Sequence, residues 1–327
     1  MKSNILVGVG NGVAAGAFWG LVFLAPQVLG SFSALQLSAA RYLAYGGVAV
    51  LLLAPRWRAL SARIGRAEWL ALVYLSLLGN ILYYLFLASA VQWAGGASTS
   101  LIIGLLPVVV TLVGARDEGA LKLSSLMAPL ALCLFGVGLV GVQALSAEHA
   151  ATALATRAAG LLCAFGALAS WSVYSVRNSR WLARRPDISS HDWSLLTGIV
   201  TGALALLLAI PAFSHGMGGH GGGDWLRFWG VAAAVAIFAS VVGNAFWNRA
   251  SRLLPLTLTG QMIIFETLFA LLYGFLWEQR WPTRLELLAI VCLLSGVLWC
   301  ASLHRSHGGA AEAAAEHEDR WRETGGN

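Results

Sequence analysis

Residues 68–91 read EWLALVYLSLLGNILYYLFLASAV, a run whose only charge is Glu68 at its start. A helix that crosses a bilayer needs about 20 apolar residues. This run supplies them without the period-2 alternation of a membrane-barrel strand. Its polar residues are few and ordered: Ser76, Asn80, Tyr83 and Tyr84 recur at i, i+4, i+7 and i+8, one face of a helix. A helix of this kind belongs in a bundle with lipid outside and protein or water inside.

The remainder of the 327 residues repeats the pattern. Hydrophobic residues make up 58% and charged residues 11%, against about 25% charged in a soluble domain, which excludes an ordinary soluble globule. Apolar runs bounded by charge, Gly and Pro predict spans near 5–25, 33–54, 68–91, 97–115, 123–143, 158–180, 193–213, 226–249, 255–277 and 285–303. The first run starts at Lys2 like a signal peptide, but it continues through Trp19 and Phe23 and feeds straight into a second span, so it reads as a helix. The expected class is an all-α polytopic membrane protein of ten transmembrane helices.

The net charge of +6 does not form a nucleic-acid face, because the basic residues lie in short clusters between apolar runs. With the N-terminus in the cytoplasm, the inside segments hold Lys2; Arg56, Arg58, Arg63 and Arg66; Arg116 and Lys122; Arg177, Arg180, Arg184 and Arg185; Arg249 and Arg252; and Arg305. The outside loops hold Arg157, Arg227, Arg280 and Arg284, a split of 14 to 4. The positive-inside rule then places both termini in the cytoplasm; the expected location is a bacterial inner membrane.

The two halves look related. A shift of 160 residues places Ala90 on Ala250, Glu118 on Glu278 and Gly136 on Gly296, and a shift of 152 places Ala17 and Trp19 on Ala169 and Trp171. Five spans per half is an odd number, so the second half enters the membrane inverted. Chance similarity among apolar helices is the competing explanation. The expected organisation is a first repeat over 1–145, a second inverted repeat over 155–305 and a solvated cytoplasmic tail over 306–327.

Charge inside the membrane costs about 2.5–3.5 kcal/mol on insertion scales, and two such residues stand out. Arg41 lies in the second span and Glu266 in the ninth. Arg41 is suited to holding a substrate carboxylate, Glu266 to binding a proton or an ammonium group; alternatively each ties helices together. Polar stripes recur at Ser240, Asn244, Trp247, Asn248 and Ser251 in the eighth span, and at Ser170, Tyr174 and Asn178 in the sixth. Trp19 and Trp171 lie deeper than Trp57, Trp69, Trp193, Trp225, Trp229 and Trp281, which sit near span ends where interfacial anchors belong. Trp19, Asn80, Tyr83, Trp171, Tyr174, Asn244, Trp247 and Gln261 are therefore the expected lining of a midplane substrate cavity. Interhelical bonding is the alternative for the amides.

Gly104, Pro107 and Gly260 are expected hinges, since small residues allow close helix approach and proline removes a backbone hydrogen bond. The same glycines can serve packing alone. Cys133, Cys163, Cys292 and Cys300 lie singly in apolar runs and read as core residues. His215, His220 and Asp224 fall in a Gly-rich loop that cannot preorganise metal ligands, so neither a metal nor a cofactor is expected.

Ala17-Phe18-Trp19-Gly20, Ala40-Arg41-Tyr42-Leu43-Ala44, Glu266-Thr267, and Glu278 followed by Leu285 through Gly296 resemble the EamA repeat of the drug/metabolite transporter superfamily. The resemblance runs over 5–303, and the Trp-rich interior is similar to that of aromatic amino acid exporters of the YddG type. Thr267 departs from the family's usual proline, and the seventh span has no counterpart of Arg41. The resemblance implies a transporter working by alternating access, with the first, third and fourth spans rocking against the sixth, eighth and ninth. Phosphate-carrying members should have several intramembrane Lys or Arg residues, and small cationic-drug antiporters have a first-span glutamate; this sequence has neither.

Three classes compete. A membrane-embedded enzyme needs convergent acids, bases or ligands, and the spans hold no His pair, Asp pair or His-Glu cluster. A scaffold or channel has no need of buried charge. A transporter uses every feature noted, so the expected function is export of aromatic or other bulky amino acids, with another small metabolite as the alternative cargo. The expected partners are that small-molecule substrate and the lipid bilayer, and Glu266 is the first candidate for proton coupling.

Overall fold

The computed structural model describes residues 2–109, 123–146, 153–214, 219–253, 262–299 and 302–303. Among them the long elements are all helices and no strand occurs. In chain order they are α1 (Lys2–Val28), α2 (Ala34–Leu53), α3 (Arg66–Ala94), α4 (Gly96–Val109), α5 (Leu123–Ser146), α6 (Leu154–Arg184), α7 (Ser190–Ser214), α8 (222–253), α9 (Ile264–Glu278) and α10 (284–299). Six of these, α1, α2, α3, α6, α7 and α8, contain stretches long and apolar enough to cross a membrane, and α4 and the Met127–Leu139 part of α5 are shorter apolar helices. Leu51, Leu70, Leu162, Ile210 and Leu226 stand exposed on the outside of the bundle, as side chains do when the surrounding solvent is lipid.

Local chemistry sets the helix ends. Ser33 and Gln36 form a reciprocal cap at the start of α2: the Gln36 N–H donates to Ser33 Oγ at 3.2 Å, and the Ser33 N–H donates to Gln36 Oε1 at 2.9 Å. A single residue, Gly95, joins α3 to α4 at φ +91°, a backbone conformation that a side chain would strain. In α4 the helix is interrupted at Gly104–Leu105 and resumes at Leu106. Pro107 then has no N–H to donate into the ladder.

Two helices contain π-helical turns, Leu77–Leu82 in α3 and Ala236–Gly243 in α8. A π turn takes more residues per revolution than an α turn, so it rotates everything beyond it relative to an α-helical wheel. The stripe expected along α3 is split for this reason. Ser76 Oγ donates to the Thr197 carbonyl and Asn80 Nδ2 to Thr201 Oγ1, both on α7, whereas Tyr84 presents its ring to Arg41 on α2.

Packing runs chiefly between helices far apart in the chain: α2 lies on α7, α3 on α6, α1 on both α8 and α9, α4 on α9, and α4 on α6. Glycine makes the closest crossings possible. A Cβ placed on Gly46 would come within 2.6 Å of the Gly202 Cα, and one on Gly202 within 2.7 Å of the Gly46 Cα. At the α5–α10 contact, a Cβ on Gly136 would meet the Ala289 carbonyl and Cys292, and one on Gly296 would meet Cys133. Cys133 and Cys292 are buried there, and Cys163 is half-buried on α6.

The two ends of the bundle differ in chemistry. At one, Arg185 bonds both Glu68 and Asp187 and donates to the Arg63 carbonyl, while Arg56 pairs with Asp192 at 2.8 Å. The guanidinium beside Asp187 holds its carboxyl at about 2, so this pair keeps its charges at physiological pH. At the other, Phe32, Phe213, His220, Trp225, Phe228 and Trp229 form an aromatic cluster. His220 stacks on Phe32 with centroids 4.1 Å apart, and Asp224 accepts from the Gly221 N–H of its own helix start. Trp193, expected at an interface, is instead 3% exposed and donates to Asn178 Oδ1 at 2.8 Å in the α6–α7 seam.

Gly202→Leu should cost about 1–3 kcal/mol through overpacking at the α2–α7 crossing and lower the Tm of the purified protein. Gly47→Leu, where a Cβ meets nothing within 4 Å, should leave it unchanged. Equal Tm values for both variants would contradict this crossing.

Candidate substrate site

The interior polar residues form two groups with Arg41 between them. On the α1–α8 seam, Trp19 and Trp247 face each other with ring centroids 5.1 Å apart, and Trp19 Nε1 donates to the Ala239 carbonyl at 3.1 Å. Ala239 belongs to the π turn, and Trp19 also fills the space that a side chain on Gly243 would need. One turn away, Asn244 Nδ2 donates at 2.7 Å to the Ser240 carbonyl of its own helix. Asn244 therefore satisfies its amide within α8 rather than on a neighbouring helix.

The second group lies where α3 meets α6 and α7. The Tyr174 ring of α6 lies against Gly79, in space a Cβ would occupy, and Trp171 stands 6.0 Å from Tyr174. Ser170 Oγ donates to the Leu78 carbonyl at 2.7 Å, and the Tyr42 hydroxyl to the Asn80 carbonyl at 2.9 Å. The π turn of α3 is thus held from three helices, with Asn80 also bonded to Thr201. Asn80 is engaged in helix association, the alternative reading of that amide.

Arg41 links the groups. Its guanidinium lies 4.3 Å over the Tyr84 ring and 5.2 Å from the Tyr42 centroid, and Nη2 donates to Ser240 Oγ at 3.4 Å. It is 7% exposed, and among the described residues Nε and Nη1 find no hydrogen-bond partner. Glu266, also 7% exposed, lies in the first turn of α9, where the helix dipole favours a carboxylate. The charges of Arg41 and Glu266 both act on the buried Tyr83, and Arg41 acts on Glu266 without forming an ion pair within 4 Å. Beside Ser240 is a small cavity lined by Tyr45, His191, Ser194, Ser240, Val241 and Asn244, with room for roughly one water molecule.

Of the residues expected to line a cavity, Trp19, Trp247 and Asn244 stand at the α1–α8 seam, and Asn80, Trp171 and Tyr174 where α3 meets α6. Tyr83 stands near the two charges. Gln261 and Gly260 lie outside the described residues, as do Cys300, His215 and the 306–327 tail. Gly104 and Pro107 lie at the interruption of α4, and a Cβ on Gly104 would press within 2.6 Å of Leu293 and 3.1 Å of Thr267, so packing alone already demands glycine there. Sequence reasoning did not single out Tyr42 or Tyr45, whose rings and hydroxyls support the centre from α2. Their spacing from Arg41 was the available signal.

The model of the EamA-like transporter family matches this chain twice, over residues 6–142 and 158–302. The inner membrane protein YtfF of Escherichia coli is 34% identical over 310 residues, covering 90% of this chain and 94% of that protein. A crystal structure of a protein 22% identical in sequence superposes with a TM-score of 0.62, covering 94% of this chain and 99% of the other, and shows the same fold.

Trp19→Ala, Asn80→Ala, Trp171→Ala and Asn244→Ala should each reduce substrate transport several-fold, roughly what loss of one aromatic or polar contact removes, with membrane insertion intact. Normal transport in all four variants would defeat the cavity. At Asn80, a fall in Tm with unchanged transport would assign the side chain to its bond with Thr201.

Proposed function

The chain is a membrane transporter of the EamA-like family, and on that premise we propose that it exports aromatic or other bulky amino acids from the cytoplasm by alternating access. The observation that carries this reading is the convergence of Arg41, Glu266 and Tyr83 with the Trp19–Trp247 pair around the two π turns. An amphipathic solute with one charged end and one large apolar part is complementary to such a lining.

The architecture proposed is ten spans in two inverted five-helix halves, 1–145 and 155–305. Supporting this, the π turns of α3 and α8 start and end about 160 residues apart, as do Gly136 and Gly296 at the α5–α10 contact. The packing obeys the same exchange: α3 on α6 corresponds to α8 on α1, and α1 on α9 to α6 on α4, while α2–α7 and α4–α9 map onto themselves. Helices α1, α3 and α4 would rock against α6, α8 and α9, with the interruption of α4 at Gly104–Leu105 and the π turns as points of bending. The ionic end of the bundle faces the cytoplasm in the inner membrane, as the basic loops require. Cysteines placed at Ser61 and His220 test the orientation: a membrane-impermeant reagent outside intact cells should label position 220 alone, and labelling of position 61 alone would reverse it.

Proteoliposomes loaded with labelled tryptophan, phenylalanine or leucine, with and without a pH gradient, test the activity. Glu266 is the proposed proton carrier. Glu266→Gln should abolish the response to a pH gradient while tryptophan exchange persists, whereas an unchanged response in folded protein would give Glu266 a structural role. Transport of none of these amino acids would favour another small metabolite as the cargo.

A further inference from the structure

Arg41 is buried with donors that no described residue uses. A guanidinium has five N–H donors in a planar fork and is always charged. Here one nitrogen reaches Ser240 Oγ at 3.4 Å, a long bond, and the face is covered by Tyr84 at 4.3 Å. Nε and Nη1 are buried and bond nothing among the described residues. Each stands on one of the two edges, Nε–Nη2 and Nη1–Nη2, along which a guanidinium receives both oxygens of a carboxylate.

Among the described residues the usual structural explanation finds no partner for the free donors. A buried arginine that merely ties helices together directs its fork at a carboxylate or at backbone carbonyls. Around Arg41, Glu266 is beyond ion-pair distance, the Tyr42 hydroxyl is turned away to the Asn80 carbonyl, and the Tyr45 hydroxyl to the Ser194 carbonyl at 2.7 Å. The Tyr42 and Tyr45 hydroxyls are therefore engaged elsewhere, while Tyr84 offers Arg41 both its ring face and a side-chain hydrogen bond. A cation held by ring faces and neutral hydroxyls is positioned but not neutralised.

We infer that the unpartnered donors of Arg41 bind the carboxylate of the transported solute, with Ser240 and Tyr84 fixing the plane of the guanidinium. Ser240 also lines a small cavity with Tyr45 and Asn244. The assignment rests on the transporter reading above and narrows it to solutes carrying a carboxylate. Specificity follows from the asymmetry of buried polar groups: a solute without the carboxylate leaves the fork unpaired and gains little from the site.

The experiment is binding by calorimetry to the purified full chain in nanodiscs, with L-tryptophan, L-tryptophanamide, L-leucine and L-leucinamide as probes, for the native protein and for Arg41→Gln and Arg41→Lys. The native protein should bind L-tryptophan at least tenfold more tightly than its amide. Arg41→Gln should erase that difference by weakening L-tryptophan alone, and Arg41→Lys should restore part of it. Equal binding of acid and amide by the native protein overturns the inference, as does an Arg41→Gln variant that weakens both alike. If Arg41→Gln does not fold, the comparison of acid with amide in the native protein decides. Binding of L-leucine over L-leucinamide with no binding of tryptophan would discard the aromatic cargo and keep the role of Arg41. Binding of neither acid overturns it.

Discussion

Arg41 places a guanidinium inside a bundle whose exterior is apolar, and much of the interior is arranged around that fact. Tyr42 and Tyr84 cover its faces, Ser240 reaches it from the other half of the chain, and Glu266 supplies an opposite charge at a distance. Cation–π contacts contribute about 0.5–2 kcal/mol each, less than the several kcal/mol of burying an ion. The difference must come from the apolar packing of the helices that hold these groups in place. Stability is thus spent at the centre of the molecule, as it is at functional sites generally.

The close crossing of α2 and α7 is what makes that arrangement rigid. Gly46 and Gly202 let the two backbones touch, and from that contact Tyr42 and Tyr45 extend to bond the carbonyls of Asn80 and Ser194. Without a hydrophobic force between helices in lipid, such van der Waals contact and interhelical hydrogen bonds are the principal means of association. Arg41 is one residue before Tyr42, so the orientation of its guanidinium is inherited from the same crossing.

The apolar runs, the polar stripes and the two intramembrane charges were legible in the sequence because each is a local property of one helix. What was not legible has two physical causes. The π turns in α3 and α8 change the number of residues per revolution, so Ser76 and Asn80 turn to α7 while Tyr84 turns to Arg41, although a regular helix would keep them on one face. The environment of Arg41 is assembled from α2, α3, α8 and α9, and no periodicity within one segment encodes a meeting of four. Trp193 shows the same limit: its place near a helix end suggested an interfacial anchor, but Asn178 on α6 satisfies its indole and draws it inward.

Charge balance then constrains what the centre can accept. Arg41 and an ionised Glu266 sum to zero, and low-dielectric surroundings penalise departure from that sum. A zwitterionic amino acid adds a carboxylate and an ammonium group together, so it enters without changing the total. A simple carboxylate adds one negative charge and restores neutrality only if a proton accompanies it to Glu266. With Arg41 receiving the carboxylate, the separation between Arg41 and Glu266 becomes useful: a direct ion pair would have to be broken before any solute could bind, whereas two charges held apart leave the fork of the arginine open to its ligand.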